Sequence, residues 1–283
     1  MSKVGMMTRI FRLTTAASVA LLLPGAAPLP QPAVAPSAQA APATAPAVAA
    51  AARPPLIGLR IIARYPHDPA AFTEGLIWHD GGLYESVGLE GRSEVRRVVL
   101  ATGKVERRGS IPPSEFGEGL AAFGDRLVSL TWHKGIAHLW SPATLKAEGT
   151  LAYRGEGWGL TSDGKSLIRS DGSATLIFHD PATMAERRRV TVTIGGQKLT
   201  QINELEWVDG AILANVWHQP FLVRIDPASG RVTGVIDLRP LVAEVKATDP
   251  EAVANGIAWD AEKRRLFVTG KLWPTMFEIA LEE

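Results

Sequence analysis

Short apolar runs, separated by polar or glycine-bearing turns, recur along this chain, and five of them share one register. They read FTEGLIWHDGGLYESVG from Phe72, FGEGLAAFGDRLVSLTW from Phe116, EGWGLTSDGKSLIRSDG from Glu156, INELEWVDGAILANVW from Ile202 and NGIAWDAEKRRLFVTGKLW from Asn255. Each opens on polar or aromatic residues, continues as a short apolar strand, turns at or near Asp-Gly and returns as a second apolar strand. Asp-Gly between two such runs is a hairpin signal. Leu76, Leu120, Leu160, Leu205 and Ile257 align, at spacings of 44, 40, 45 and 52 residues. Irregular repeats of about 40–50 residues with several strands each are the mark of propeller blades.

The remainder of each unit extends the pattern. VRRVVL, IAHLWS, TLIFHD and FLVRID predict third strands, and after a turn VERRGSI, AEGTLAY, ERRRVTV and RVTGVIDL predict fourth strands. The last unit has a third strand, TMFEIALE, and then the sequence ends. LIGLRIIARYP, near the other terminus, has the alternation of a fourth strand and would complete that unit, leaving no unpaired edge there. The expected fold is therefore all-β: a five-bladed β-propeller closed by an N-terminal strand pairing with the last blade. A sandwich of repeated hairpins is the competing architecture.

In a propeller the first strands run innermost, so five strand starts and five hairpin ends meet at one mouth. The starts bring Phe72, Glu74, Phe116, Glu118, Trp158, Asn203, Glu204 and Asn255; the ends bring Ser86, Trp132, Asp171, Trp217, Lys271 and Trp273. Aromatics with a few carboxylates, amides and one ammonium suit a small polar ligand that carries an amine.

The start of the chain is different in kind. Lys3, Arg9 and Arg12 precede an apolar run from Thr14 to Leu23, with small-residue cleavage sites at Ala38-Gln39-Ala40 or at Gly25-Ala26-Ala27. That run is too short to span a bilayer. Residues 1–40 read as a secretory signal peptide, 41–55 as an Ala/Pro-rich disordered linker, and 56–283 as the propeller domain. The expected location is periplasmic or secreted. Removing residues 1–40 takes the formal charge from +1 to −2. A near-neutral body argues against nucleic acid or an anionic membrane as partner. The chain has no cysteine, so it has no disulfide and no thiol nucleophile. Its six histidines form no spacing that would gather the ligands of a zinc site, and no metal or other cofactor is expected. Gly159 to Ser166 matches a phosphate-binding loop letter for letter. That loop needs a helix after it, whereas here Asp163-Gly164 falls at the repeated hairpin turn.

The strings FTEGL, YESVG, FGEGL, LTW, EGWGLTSDG, NELEW, ANVW, NGIAWD and TGKLWP, in this order from about Ile61 to Phe277, resemble the plant and bacterial glutaminyl-peptide cyclotransferases. That family is built on five-bladed propellers. The resemblance implies a reaction in which the α-amine of an N-terminal glutamine attacks its own side-chain amide, giving pyroglutamate and ammonia. It implies peptide or protein substrates, a monomer and no cofactor. By the same similarity Glu118 is the proton-carrying carboxyl, Asn203 orients the substrate and Lys271 gives electrostatic or positioning support. Phe72, Phe116, Trp132, Trp158 and Trp217 match the aromatic lining, while Trp78, Trp207 and Trp259 read as structural and Trp140 has no assigned role. Glu85 and Glu206 read as structural hydrogen-bonders or channel residues, and Asn255-Gly256 as a turn feature.

One position departs from the pattern. Glu74 stands where a glutamine is expected in plant members, so two carboxyls share the mouth, and Glu74 is either a second proton-handling group or an amine-binding one. Two other readings compete with catalysis by cyclisation: a non-catalytic periplasmic propeller that binds peptide N-termini, and a lactonase-like hydrolase on the same fold.

Overall fold

Turn chemistry sets the hairpins. Asp80 and Gly81 take φ of +45° and +70°, and Asp209 and Gly210 take +47° and +84°, the left-handed pair that joins two twisted strands most tightly. The computed structural model describes residues 53–282. The expected signal peptide and nearly all of the linker lie outside the described residues.

Strand β1 (Leu56–Pro66) is followed by a four-stranded antiparallel unit of β2 (Thr73–His79), β3 (Gly82–Val87), β4 (Glu94–Val98) and β5 (Val105–Ser110). The second unit holds β6 (Gly117–Phe123), β7 (Arg126–Thr131), β8 (Ile136–Trp140) and β9 (Ala147–Ala152). The third holds β10 (Leu160–Ser162), β11 (Leu167–Arg169), β12 (Thr175–His179) and β13 (Glu186–Thr191). Gly164, at φ +78°, turns β10 directly into its antiparallel partner β11, so the phosphate-loop match is a hairpin.

A small hairpin, β14 (Thr193–Ile194) with β15 (Gln197–Lys198), precedes the fourth unit. That unit is β16 (Ile202–Val208), β17 (Ala211–Val216), β18 (Phe221–Ile225) and β19 (Val232–Asp237). Then come the helix α1 (Arg239–Val245) and strands β20 (Ala254–Asp260), β21 (Arg265–Gly270) and β22 (Thr275–Glu282). The helix accounts for the longest repeat spacing; it starts with Pro240 in its first turn and stops at Lys246, which is left-handed at φ 52°. It is too short to register as a periodic pattern against the strands around it. No helix among the described residues is long and apolar enough to cross a membrane.

The last two units form one eight-stranded sheet in the order β16-β17-β18-β19-β1-β22-β21-β20. β1 runs antiparallel to β22, from Gly58 opposite Glu282 to Pro66 opposite Thr275, while its first residues lie parallel to β19.

The core lies between neighbouring units. Ile77, Tyr84 and Val95 pack on Leu120, Leu127 and Trp140 of the second unit. Val128 and Leu139 meet Leu160, Leu167 and Met184; Ile168 and Phe178 meet Leu205, Ile212 and Val223. Leu213 and Leu222 meet Ile257, Leu266 and Phe277, and Phe267 and Met276 meet Leu76 and Leu83 of the first unit. A sandwich would have a single core between two sheets. Here each sheet packs on the next and the last on the first, so the fold is all-β and propeller-like.

Candidate functional site

The inner hairpins share a defect at one register. The β2–β3 ladder skips between Thr73 and Gly75, β6–β7 between Gly117 and Leu120, β16–β17 between Ile202 and Leu205, and β20–β21 between Ala254 and Ile257. Such interruptions bend a strand and re-aim the residue left unpaired. The residues two before the aligned Leu or Ile are Glu74, Glu118, Asn203 and Asn255, with Trp158 in the third unit. All five are buried. The sequence places all five at the mouth and takes four of them as site residues; Asn255, read as a turn feature, shares their register.

The glycines beside these positions let the inner strands approach. A side chain on Gly75 would strike the backbone of Leu120, and one on Gly119 the backbone of Gly159 and Leu160. At the matching position of the fourth unit stands Glu204, whose carboxylate accepts the backbone N–H of Leu76 at 3.2 Å. Burial, reinforced by the neighbouring Glu206, pushes the Glu204 carboxyl well above its ordinary range, and burial pushes Glu206 to about 8. Glu206 accepts the backbone N–H of Trp259 at 2.8 Å. Both carboxyls are shifted towards the protonated form by burial, and both join units across the interior.

On one side of the site, Lys271 Nζ donates to Glu74 Oε1 at 2.6 Å, and both side chains are fully buried. Asn255 Nδ2 donates to the Thr73 carbonyl at 2.9 Å and lies 3.4 Å from Glu74 Oε2. The Lys271 ammonium sits 4.4 Å from the centre of the Phe72 ring, a cation–π contact. Phe72 stands edge-on to Phe116 at 6.2 Å, and Phe116 edge-on to Trp132 at 5.6 Å. Gly88 makes this possible, because a Cβ there would run into the Phe116 ring and the Glu74 side chain.

The second strands end in register as well. The N–H groups of Gly88, Trp132, Trp217 and Lys271 donate to the carbonyls of Phe72, Phe116, Gln201 and Val253, so Trp132, Trp217 and Lys271 occupy one position in three units. Ser86 is buried two residues short of it. Trp273, also placed at the mouth by sequence, is 1% exposed in the core, with Nε1 donating to the Ala252 carbonyl. Asp171 caps its own turn through Ser173.

On the other side, Trp158 stands edge-on to Trp217 at 5.8 Å. Trp132 and Trp158 both donate their indole N–H to Glu156, at 2.8 and 2.9 Å. Glu118 is fully buried, and the adjacent Gly119 N–H donates to the Trp158 carbonyl at 2.7 Å. Tyr153 is within electrostatic reach of Glu118: burial, with a small contribution from that carboxyl, pushes its hydroxyl to about 12. Neither polar atom of the buried Asn203 amide has a hydrogen-bond partner among the described residues, nor has Trp217 Nε1. Buried polar groups seldom go unsatisfied, so these atoms keep hydrogen-bonding capacity for a ligand or for water. Among the described residues no group of three or more His, Cys, Asp or Glu is placed to hold a metal ion.

Charge beneath the site is fixed. Burial alone would raise the Glu85 carboxyl, but the His67 and Arg96 cations hold it at about 2. His67 Nε2 lies 3.0 Å from Glu85 Oε1, Thr73 Oγ1 donates to the same oxygen at 2.6 Å, and Arg96 Nε donates to Oε2 at 2.8 Å. Glu85 is thus a structural hydrogen-bonder.

Known proteins resemble this chain in sequence and fold. A family model described as glutamine cyclotransferase matches residues 33–281. The chain is 40% identical over 229 residues to a glutaminyl-peptide cyclotransferase of Arabidopsis thaliana, covering 80% of this chain and 72% of that one. The crystal structure of Myxococcus xanthus glutaminyl cyclase superposes with a TM-score of 0.77 at 42% identity, over 81% of this chain and 98% of the other. With an aromatic-lined, carboxylate-bearing mouth on a propeller-like frame, and likeness along nearly all of the described chain, this protein belongs to the glutamine cyclotransferase family.

Proposed function

We propose that this chain is a glutaminyl-peptide cyclotransferase in which Glu118 carries the proton. The α-amine nitrogen of an N-terminal glutamine attacks the side-chain amide carbon, and a new C–N bond closes the five-membered ring. Glu118 takes a proton from the attacking amine and returns it to the departing nitrogen, which leaves as ammonia when the old C–N bond breaks. One carboxyl serves both transfers, as general base and then general acid. The observation that carries this reading is the position of Glu118: fully buried, in a ladder defect, and adjoining the backbone of Trp158.

The other groups take roles that fit their surroundings. The unsatisfied amide of Asn203 matches the amide of the substrate. Phe72, Phe116, Trp132, Trp158 and Trp217 pack the glutamine side chain and exclude water. Lys271, bound to Glu74, positions rather than attacks; the ion pair supports reading Glu74 as its anchor and Glu118 as the proton carrier.

The same reading takes the five four-stranded units as blades of one ring with β1 as the outer strand of the last. The β1–β22 register and the cores shared by successive units support this. It also takes residues 1–40 as an export signal and the protein as a monomer that acts in the periplasm or outside the cell, without nucleic-acid or membrane partners.

Ammonia release from peptides tests the reaction. Peptides that begin with glutamine are expected to be turned over, whereas N-acetylated peptides and peptides with internal glutamine only are not, because the nucleophile is the substrate's own amine. Comparable turnover of the acetylated peptide would sink the cyclisation.

A further inference from the structure

The two halves of the aromatic wall meet at a residue with no role so far. Four residues before the aligned leucines stand Phe72, Phe116 and, in the third unit, Glu156. Glu156 thus occupies the register of two wall residues, but with a carboxylate in place of a ring. Its Oε2 accepts the N–H of both Trp132 and Trp158, at 2.8 and 2.9 Å. These indoles belong to different units, Trp132 following β7 and Trp158 preceding β10. Through them one oxygen joins two chains of edge-on rings, Phe72–Phe116–Trp132 and Trp158–Trp217.

Glu156 is itself braced. The buried Arg169 donates to the backbone carbonyls of Glu156 and Arg154. Glu156 Oε1 lies 3.6 Å from His133 Nδ1, and the His133 ring stacks on Trp132 at 3.8 Å. The Glu156 and His133 side chains are 45% and 42% exposed, so hydrogen bonds and ring stacking, not burial, hold the two indoles, as a preorganised binding wall requires.

We propose that Glu156 is a positioning residue that fixes the separation of Trp132 and Trp158, and so the fit of the substrate's glutamine side chain. This rests on the reading of those tryptophans as the substrate-packing wall. Glu156 acts through two side chains and touches no reacting atom, so its loss weakens binding and spares the chemical step.

The experiment is steady-state kinetics on a glutamine-initiated dipeptide. Glu156→Ala is expected to raise KM by about tenfold with kcat within about threefold of the parent, as two charge-assisted hydrogen bonds are lost. Glu156→Gln keeps an oxygen that can accept both N–H groups and is expected to stay near the parent. Trp132→Phe keeps a ring but donates nothing, and is expected to raise KM as well; it carries the test if Glu156→Ala does not fold. Trp132→Ala and Trp158→Ala report on the wall itself. An unchanged KM in Glu156→Ala or in Trp132→Phe, with both tryptophan-to-alanine variants raised, overturns the role of Glu156 alone. An increase in Glu156→Gln as large as in Glu156→Ala overturns it too, because hydrogen-bond acceptance is the claim. Unchanged KM in all of these variants overturns the wall and the inference together.

Discussion

Lys271 donates to Glu74 across 197 residues of sequence, at 2.6 Å and with both side chains fully buried. Glu74 belongs to the first inner strand and Lys271 follows the second strand of the last unit, so the ion pair is also a tie between the two ends of the repeat. A charge buried this way is tolerable only with its partner in place.

Lys271→Met should therefore destabilise the protein by about 3–5 kcal/mol, the cost of depriving a buried carboxylate of its cation. Adding Glu74→Gln should recover much of that loss, while turnover stays low in both variants because the ammonium is missing. Thermal melts and ammonia release on the two single variants and the double one measure the coupling. Strictly additive stability effects would mean that the pair does not function as a unit.

The two carboxyls at the site should separate cleanly. Glu118→Gln keeps its shape but moves no proton, so turnover is expected to fall by roughly 100-fold or more. Glu74→Gln still offers Lys271 an oxygen, so turnover should fall far less, while the lost counter-charge lowers stability. Turnover of both variants, with far-UV dichroism to check folding, decides it. A dead Glu74→Gln beside a near-normal Glu118→Gln would reverse the assignment.

Gly88→Ala tests how closely the wall is fitted. Its Cβ would meet the Phe116 ring and the Glu74 side chain, and an overpacked site of this kind typically costs about 1–3 kcal/mol. We expect a lower kcat/KM than for the neighbouring surface change Glu90→Ala. Equal kinetics for the two variants would show that Phe116 can shift freely.

Stability should respond to pH at both ends. Glu85 is held at about 2 against an ordinary 4.5, so its contribution is present above pH 4.5 and is lost as pH falls towards 2. Glu206 is raised from 4.5 to about 8, so folding favours its protonated form. Its contribution is full below pH 4.5 and is lost as pH rises through about 8. Glu206→Gln cannot ionise and should narrow the gap in urea midpoint between pH 5 and pH 9 relative to the parent. An unchanged gap would mean that Glu206 ionises at no cost.

Sequence made much of this legible because the repeat has a rhythm. Leu76 and its four counterparts are buried at 0% exposure, and such positions must be apolar in every unit. β1 could be read because its eleven residues alternate as the other fourth strands do. Trp273 misled, since an indole near a strand end looks the same whether it faces a mouth or fills a core. Glu156 was passed over because a lone carboxylate resembles a solvated one; only the geometry shows two indoles bound to it. Counting four residues back from Leu160 would have pointed to it. The Glu74–Lys271 pair could not be read at all, because spacing along the chain does not say which end of the repeat touches the other.

The ladder defect at the start of four inner hairpins has a consequence for how such a site changes over time. A residue freed from pairing is not selected for its aptitude as a strand, so an acid or an amide can stand there while the hairpin closes around it unaltered. Four hairpins show this interruption, holding Glu74, Glu118, Asn203 and Asn255. The propeller-like frame behaves as a turret with interchangeable inserts: a new specificity needs a different tool in one holder, and the mount that carries it is left as it was.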